Sequence, residues 1–453
     1  MTVDTEYFKR AWDHSSEEEI SLKQIYAYLF NFFGITEYRV DDILDRNNFV
    51  GSQASSKEFI HGQQIKELLS DIERDNGNYG IAVSESLKKP YKALGGFESL
   101  RRQISTGNFI DSSQVFSGKI AESHKALEKV DRYASFLAFL SVLRNDSFDI
   151  CINRFFVARK KKVDDTLEMV AKNLNWRINS HPVDKWVFGG DAEAFFEGDS
   201  HEFIEAFKIN QAFLRGRDKL GRPIVVIHVK DHFGKNCPER DFEKFICVII
   251  EWVRLELKPI QQGVDKGCIL FDMTGFTLKN ADLAAVKFLA TAFEANYPEC
   301  LGAIWIHNAP WIFNAVWKVI KGWLDPVVAS KIHFTNSCND LESFIDRQFI
   351  PKELGGDDTF VMKYKNPTTE DSFEKPRGEE YRKLLKQRTF LILSYFQATI
   401  NWLESKTIQE SDQLLEIRIK LGIKLASNYV KIDPFIRKRG IFERIGEMGA
   451  LGY

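Results

Sequence analysis

The sequence predicts an α/β fold: a mostly parallel sheet flanked by helices, with helical extensions at both ends of the chain. Three observations predict it. Ile224-Val225-Val226-Ile227-His228-Val229 is a continuous β-branched run, the mark of a strand buried on both faces. Such runs alternate with helical segments from about residue 221 to residue 346, and strands separated by helices pair in parallel. Outside that stretch, residues 15–34, 121–143, 164–178, 378–404 and 410–430 read as helices.

The elements follow in order. Ser16 with Glu19 resembles a capping box, opening an amphipathic helix over 15–34 that Gly34 stops. Residues 45–57 are polar and loop-like, and 75–118 mix Gly, Ser and Asn. Residues 1–120 are expected to form a helical, partly ordered N-terminal extension. Helices are expected over 121–143 and 164–178, the second capped by Asp164, within a helical region spanning 121–180. Gly221-Arg222-Pro223 leads into the first strand, and Pro238 opens a helix reaching about Leu257. Then come strand 268–272, a helix capped by Asn280 and stopped by Pro298, strand 303–307, a helix from Pro310, strand 332–334 and a short helix 340–346. These lie in a central domain, 198–357. Helices over 378–404 and 410–430 fill a C-terminal extension, 358–453.

Composition excludes several classes. The chain carries 62 basic and 64 acidic residues, so nothing global invites nucleic acid. Six cysteines form no C-x-x-C pair and read as reduced thiols in a cytosolic compartment. The N-terminus is acidic and polar rather than a signal peptide, and no run of about 18 apolar residues occurs. The 37 Phe and 9 Trp are the unusual feature, fitting either a Phe-rich core or the walls of an apolar cavity.

Enzymatic constellations are missing. There is no G-x-S-x-G elbow, no G-x-x-x-x-G-K-[ST] loop, no G-x-G-x-x-G after a strand and no H-E-x-x-H. No cysteine has an Arg six residues on, as a cysteine-dependent phosphatase requires. His228 with His232, and His307 with His333, read as satisfied core histidines, and Asp272 as a turn or capping residue. No catalytic residue, cofactor or metal is expected, and the protein is read as a non-enzyme.

One helix stands apart. From Pro310 it carries Trp311, Ile312, Phe313, Ala315, Val316, Trp317, Val319 and Ile320, which at about 100° per residue cover nearly its whole circumference. A helix flanking a sheet needs one apolar stripe. This one is expected either to be buried on every side or to act as a movable lid over a cavity, with Lys318, Lys321 and Lys331 near enough to meet anionic groups.

Eight short segments in register carry a family resemblance over about 145–357. They are Arg154-Phe155-Phe156-Val157-Ala158-Arg159-Lys160, Asp218-Lys219-Leu220-Gly221-Arg222-Pro223, Asp272-Met273-Thr274-Gly275, Tyr297-Pro298-Glu299, Asn308-Ala309-Pro310, Asp325-Pro326, Ser330-Lys331-Ile332 and Leu354-Gly355-Gly356. In this order they resemble the CRAL-TRIO lipid-binding family, most nearly its fungal phosphatidylinositol-transfer members with extensions at both ends; Asp433-Pro434-Phe435-Ile436-Arg437 resembles that subgroup too.

The resemblance implies a CRAL-TRIO-like sheet enclosing a lipid pocket, and a protein that binds one lipid, phosphatidylinositol first among them, and transfers it between membranes. It implies a headgroup site at Arg159, Lys160, Glu299 and Lys331, cations for the phosphate and a carboxylate for inositol hydroxyls. It implies pocket and lid residues at Phe271, Trp305, Trp311, Phe313, Val316, Trp317, Ile320, Trp323 and Val328. The chain departs from the family at Val328, where a Thr commonly serves the phosphate, and has no Tyr between Tyr133 and Tyr297, where phosphatidylcholine-binding members line the pocket with tyrosines. The expected partners are a phospholipid or other hydrophobic lipid and a transient membrane surface, with no nucleic acid. The expected location is the cytoplasm, with peripheral contact to internal membranes (endoplasmic reticulum, endosome or lipid droplet). The alternatives are a lipid-sensing regulatory protein and a carrier of a headgroup-free isoprenoid or sterol-like lipid.

Overall fold

In the computed structural model of the chain, residues 14–36, 40, 122–232, 237–257, 263–405 and 408–448 are described. The expected loop 45–57, the mixed stretch 75–118 and most of the N-terminal extension lie outside the described residues. In chain order the principal elements are α1 Ser16–Phe32, α2 Arg132–Ser141, α3 Phe148–Ala158, α4 Val163–Asn175, α5 Val183–Glu197, α6 His201–Lys208, β1 Ala212–Arg217, β2 Pro223–His228, α7 Glu239–Glu256, β3 Gly267–Asp272, α8 Leu283–Thr291, β4 Leu301–His307, α9 Phe313–Lys321, α10 Pro326–Ala329, β5 Ile332–Thr335, α11 Cys338–Glu342, α12 Glu379–Glu404 and α13 Ile408–Ile432. None of the described helices is long and apolar enough to cross a membrane.

Several caps sit a residue or two from their sequence positions. The box at the start of α1 is Ser15 with Glu18: the Ser15 N–H donates to Glu18 Oε2 at 3.0 Å, and the Glu18 N–H to Ser15 Oγ at 3.3 Å. Lys162 takes the N-cap of α4, leaving Asp164 in the first turn, where the helix dipole favours a carboxylate. Asn280 pairs with Thr277 to close a 3₁₀ turn, and Asp282 caps α8, accepting the Ala285 N–H at 2.9 Å.

The chain forms two units that cut across its linear segments. The first holds the described residues up to Ser180 together with Pro376–Phe435. It is helical, and its core answers much of the aromatic excess: Phe139 stacks on Phe148 at 4.7 Å, and Phe148 meets Tyr395 and Phe396 at 4.9 and 5.5 Å. The expected C-terminal helices, α12 and α13, thus pack with the N-terminal ones. Inside lies the fully buried Arg418, whose guanidinium donates to Asp149 and also to Tyr395 Oη, at 3.1 Å. Burial pulls the Arg418 pKa down more than any single neighbour raises it, but Asp149, Tyr395 and Tyr26 together outweigh it and the net shift is upward. Asp149→Ala strands that charge, so thermal or urea unfolding should show a loss of about 3–5 kcal/mol.

The second unit, His181–Lys258, Val264–Lys375 and Ile436–Tyr453, carries the sheet. Its strand order is β1-β2-β3-β4-β5. β1 pairs antiparallel with β2, and the other pairings are parallel. β1 had no clear strand signature because Arg215, Gly216 and Arg217 interrupt its apolar run. The β2 to β5 register builds rungs across the sheet. Val225, Ile269, Ile304 and Ile332 form one rung, and Ile227, Phe271 and Ile306 the next, all on one face by strand alternation.

The family motifs hold this unit's turns. Asp218 accepts the Leu220 and Arg222 N–H groups at 3.0 and 2.8 Å and pairs with the Arg222 guanidinium at 2.6 Å, closing the tight turn that Gly221 permits at φ +78°. Asp325 caps α10, accepting the Val327 N–H at 2.7 Å.

Candidate functional site

The two rungs do not pack solidly against the helices above them. Between this face and α7, α8, α9 and α10 lies a cavity of about 230 Å³, larger than the ~150 Å³ apolar void that already admits benzene. The sheet contributes Val225, Ile227, Ile269, Phe271, Ile304 and Ile306. α7 contributes its apolar stripe, including Phe245, Ile249 and Val253, and α8 contributes Val286, Leu289 and Ala290. Polar side chains on the wall are few: Gln211, His232, Asn280 and Asp282 near the C-terminal ends of β2 and β3, and Arg254 on α7. They answer one another, His232 Nε2 lying 3.1 Å from Asp282 and Nδ1 2.7 Å from Gln211 Nε2.

α9 roofs part of the cavity. Phe313, Val316, Trp317 and Ile320 line it at i, i+3, i+4 and i+7, with Leu324, Val328 and Ile332 following. The expectation of a helix apolar all round is corrected here. Asn314, Lys318 and Lys321 occupy the outer face, so one stripe is buried, and of the outward apolar residues Val319 is exposed. The physical reason lies in Trp311 and Ile312: the helix begins at Phe313, and these two residues precede it.

The structure therefore divides the pocket-and-lid set. Phe271, Phe313, Val316, Trp317, Ile320 and Val328 are on the cavity wall. Trp305 is not, because strand alternation turns it to the opposite face, where it is fully buried against Phe344 at 5.8 Å. Trp311 and Trp323 face outward, 83% and 44% exposed. His307 and His333 sit on adjacent strands but are not register partners; His307 pairs with Thr335, its Nδ1 2.9 Å from Thr335 Oγ1.

The charged residues fall into two sets, one in each unit. Glu299 and Lys331 belong to the unit with the cavity. Glu299 is held at φ +55° after Tyr297, whose hydroxyl donates to buried Glu251 at 3.1 Å. It makes an ion pair with Lys266 at 3.6 Å. Lys331 is half-buried; burial lowers its ammonium pKa, Glu299 pushes it back up, and Lys266 lowers it further. Sequence reasoning missed Lys266. Its signal was the charged pair Asp265-Lys266 directly before strand β3, but nothing local connects that position to Glu299. Arg159 and Lys160 belong to the helical unit. Arg159 ends α3, and exposed Lys160 follows at φ +51°. Lys161 beside them pairs with Glu18 at 2.5 Å.

Comparison with known proteins adds the lineage. The CRAL/TRIO domain matches residues 208–356. Phosphatidylinositol transfer protein CSR1 of Eremothecium gossypii is 36% identical over 439 residues, covering 96% of this chain and 97% of its own. CRAL-TRIO domain-containing protein C3H8.02 of Schizosaccharomyces pombe is 29% identical over 444 residues, 96% of this chain and 91% of its own. The Sec14 cytosolic factor of the same yeast is 28% identical over 224 residues, 46% of this chain and 74% of its own. Identity at the level of the first, sustained over nearly the full length of both chains, fits the motif order and the cavity fold described above: this chain belongs to the CRAL/TRIO domain family.

Proposed function

We propose that the protein binds a single lipid in the β-sheet cavity and transfers it between membranes, with phosphatidylinositol as the first cargo. One observation carries the reading: an apolar cavity of about 230 Å³ roofed by a one-sided amphipathic helix. Burial of acyl carbons there is worth about 0.8 kcal/mol per CH₂, which retains the tails against escape into water. The end-to-end relative named a phosphatidylinositol transfer protein supports the cargo and the activity.

Lys331, Glu299 and Lys266 supply a headgroup site in this reading, two cations for the phosphate and a carboxylate for inositol hydroxyls. Arg159 and Lys160 are assigned to the phosphate on the family resemblance. Residues 198–357 form the lipid-binding region, and the protein acts without bond chemistry, meeting internal membranes peripherally from the water side.

A headgroup-free isoprenoid or sterol-like cargo is the second reading, favoured by Val328 on the cavity wall, where a hydroxyl would serve a phosphate. Lys331→Ala separates the two. Mass spectrometry of organic extracts of the purified variant should show phosphatidylinositol down at least tenfold, with any hydrocarbon cargo unchanged. An unchanged phosphatidylinositol content removes the headgroup assignment, and extracts free of lipid in both proteins remove the carrier reading itself.

A further inference from the structure

The sheet has a second polar feature, away from the cavity. Ile227 and Phe271 line the cavity, so the next residues, His228 and Asp272, turn to the other face by strand alternation. They are register partners at the C-terminal ends of β2 and β3, 6% and 3% exposed. Glu353, in the 3₁₀ turn Lys352–Leu354, reaches the same point. One ligand-type atom from each of the three lies within 4.8 Å of the others.

The hydrogen bonds around His228 orient it. Its Nδ1 lies 3.2 Å from the Asn210 carbonyl oxygen, which can only accept, so Nδ1 carries a proton. Asn210 presents that carbonyl from a left-handed conformation, φ +58°, and the Asp231 carboxylate at 3.9 Å from Nδ1 supports the same tautomer. Nε2 then points its lone pair at Glu353 Oε1, 2.9 Å away. Two acceptors that close need a cation between them, either a proton or a metal ion. The second carboxylate favours the metal. Asp272 uses Oδ1 to accept the Thr274 N–H at 2.9 Å, and among the described residues no hydrogen bond reaches its other oxygen, although the side chain is buried. That second oxygen is left for a ligand, and a divalent cation offsets the mutual repulsion of two neighbouring carboxylates better than a single proton does.

We propose that His228, Asp272 and Glu353 bind one divalent transition-metal cation, with Zn²⁺ the best match. One imidazole and two carboxylates suit Zn²⁺ and Mn²⁺; an all-oxygen shell would suit Mg²⁺ or Ca²⁺, and thiolates Cu⁺. The backbone carbonyl on Nδ1 is the outer contact by which proteins fix a ligating histidine. Ligands about 2.1 Å from one ion lie at most ~4.2 Å apart, close to the 4.8 Å within which all three atoms already lie, and the half-exposed Glu353 side chain has room to adjust. The ion neutralises the two carboxylates and ties the ends of β2 and β3 to the 352–354 turn. Water completes its coordination.

The test uses the full chain, stripped with chelator and dialysed. Calorimetric titration with ZnCl₂ should show one equivalent bound. MnCl₂ should give a bound-ion electron paramagnetic resonance signal that MgCl₂ in tenfold excess does not displace. Glu353→Gln, at an exposed position that folding tolerates, should weaken both at least tenfold and abolish any zinc-induced rise in melting temperature. Equal Mn²⁺ binding by Glu353→Gln and the wild type overturns the proposal. So does absence of Mn²⁺ and Zn²⁺ binding in the wild type, which would leave a protonated His228 between two carboxylates. The Mn²⁺ arm keeps adventitious zinc on the six cysteines from counting in its favour.

Discussion

Ala290→Trp empties the protein of lipid: organic extracts of the purified variant should hold less than a tenth of the wild-type content. Ala290 is half-buried on α8 and lines the cavity. An indole there occupies space that acyl carbons would take, and the cavity is only about 230 Å³. The fold has no reason to suffer. α8 is half-exposed along much of its length and can yield outward, and filling a void removes the destabilisation that a void carries. The melting temperature should therefore match or exceed that of delipidated wild type while cargo is lost, a combination that general misfolding does not produce. Full lipid content in a folded Ala290→Trp protein would locate the ligand somewhere else.

The second large effect separates transfer from loading. Trp311→Asp combined with Trp323→Asp should reduce transfer between vesicles at least tenfold and leave extracted lipid unchanged. Both indoles face outward, clear of the cavity wall, with Lys318 and Lys321 on the outer face of α9 between them. Sinking an apolar side chain of this size into a bilayer is worth about 1.5–3 kcal/mol, and the lysines add attraction to anionic lipids. Trp317 is the wrong residue for this test because it lines the cavity, so its loss mixes loading with membrane contact. Undiminished transfer by the loaded double variant would mean that α9 is not the membrane-facing element.

The strands of the parallel sheet were legible in the sequence because a strand covered on both faces must be apolar throughout, as Ile224 to Ile227 and Cys268 to Phe271 are. β1 was not, since an edge strand is covered less and tolerates Arg215 and Arg217. α5 and α6 also escaped: Gly189 and Gly190 interrupt the first, and the second is only eight residues long. On α9 the cavity residues came from the family resemblance, since spacing alone read the helix as apolar nearly all round, and Trp305 was misplaced because a strand's hydrophobicity does not say which face a residue takes; only the register against Phe271 and Ile306 does. His228, Asp272 and Glu353 were beyond sequence reasoning for a similar reason. They are 44 and 81 residues apart along the chain, and only parallel pairing and the 352–354 turn bring them together.

The cavity also constrains the thermodynamics of a working cycle. Left vacant, a partly open hole of about 230 Å³ weakens the fold by at most ~5.5 kcal/mol, the cost of a closed void at ~24 cal/mol per Å³, against a whole-domain stability of only ~5–15 kcal/mol. The unladen protein is thus the disfavoured species, and leaving a bilayer without a replacement occupant is uphill. Cargo should move by barter, one molecule in for each one out, so that two membranes trade composition and neither is depleted.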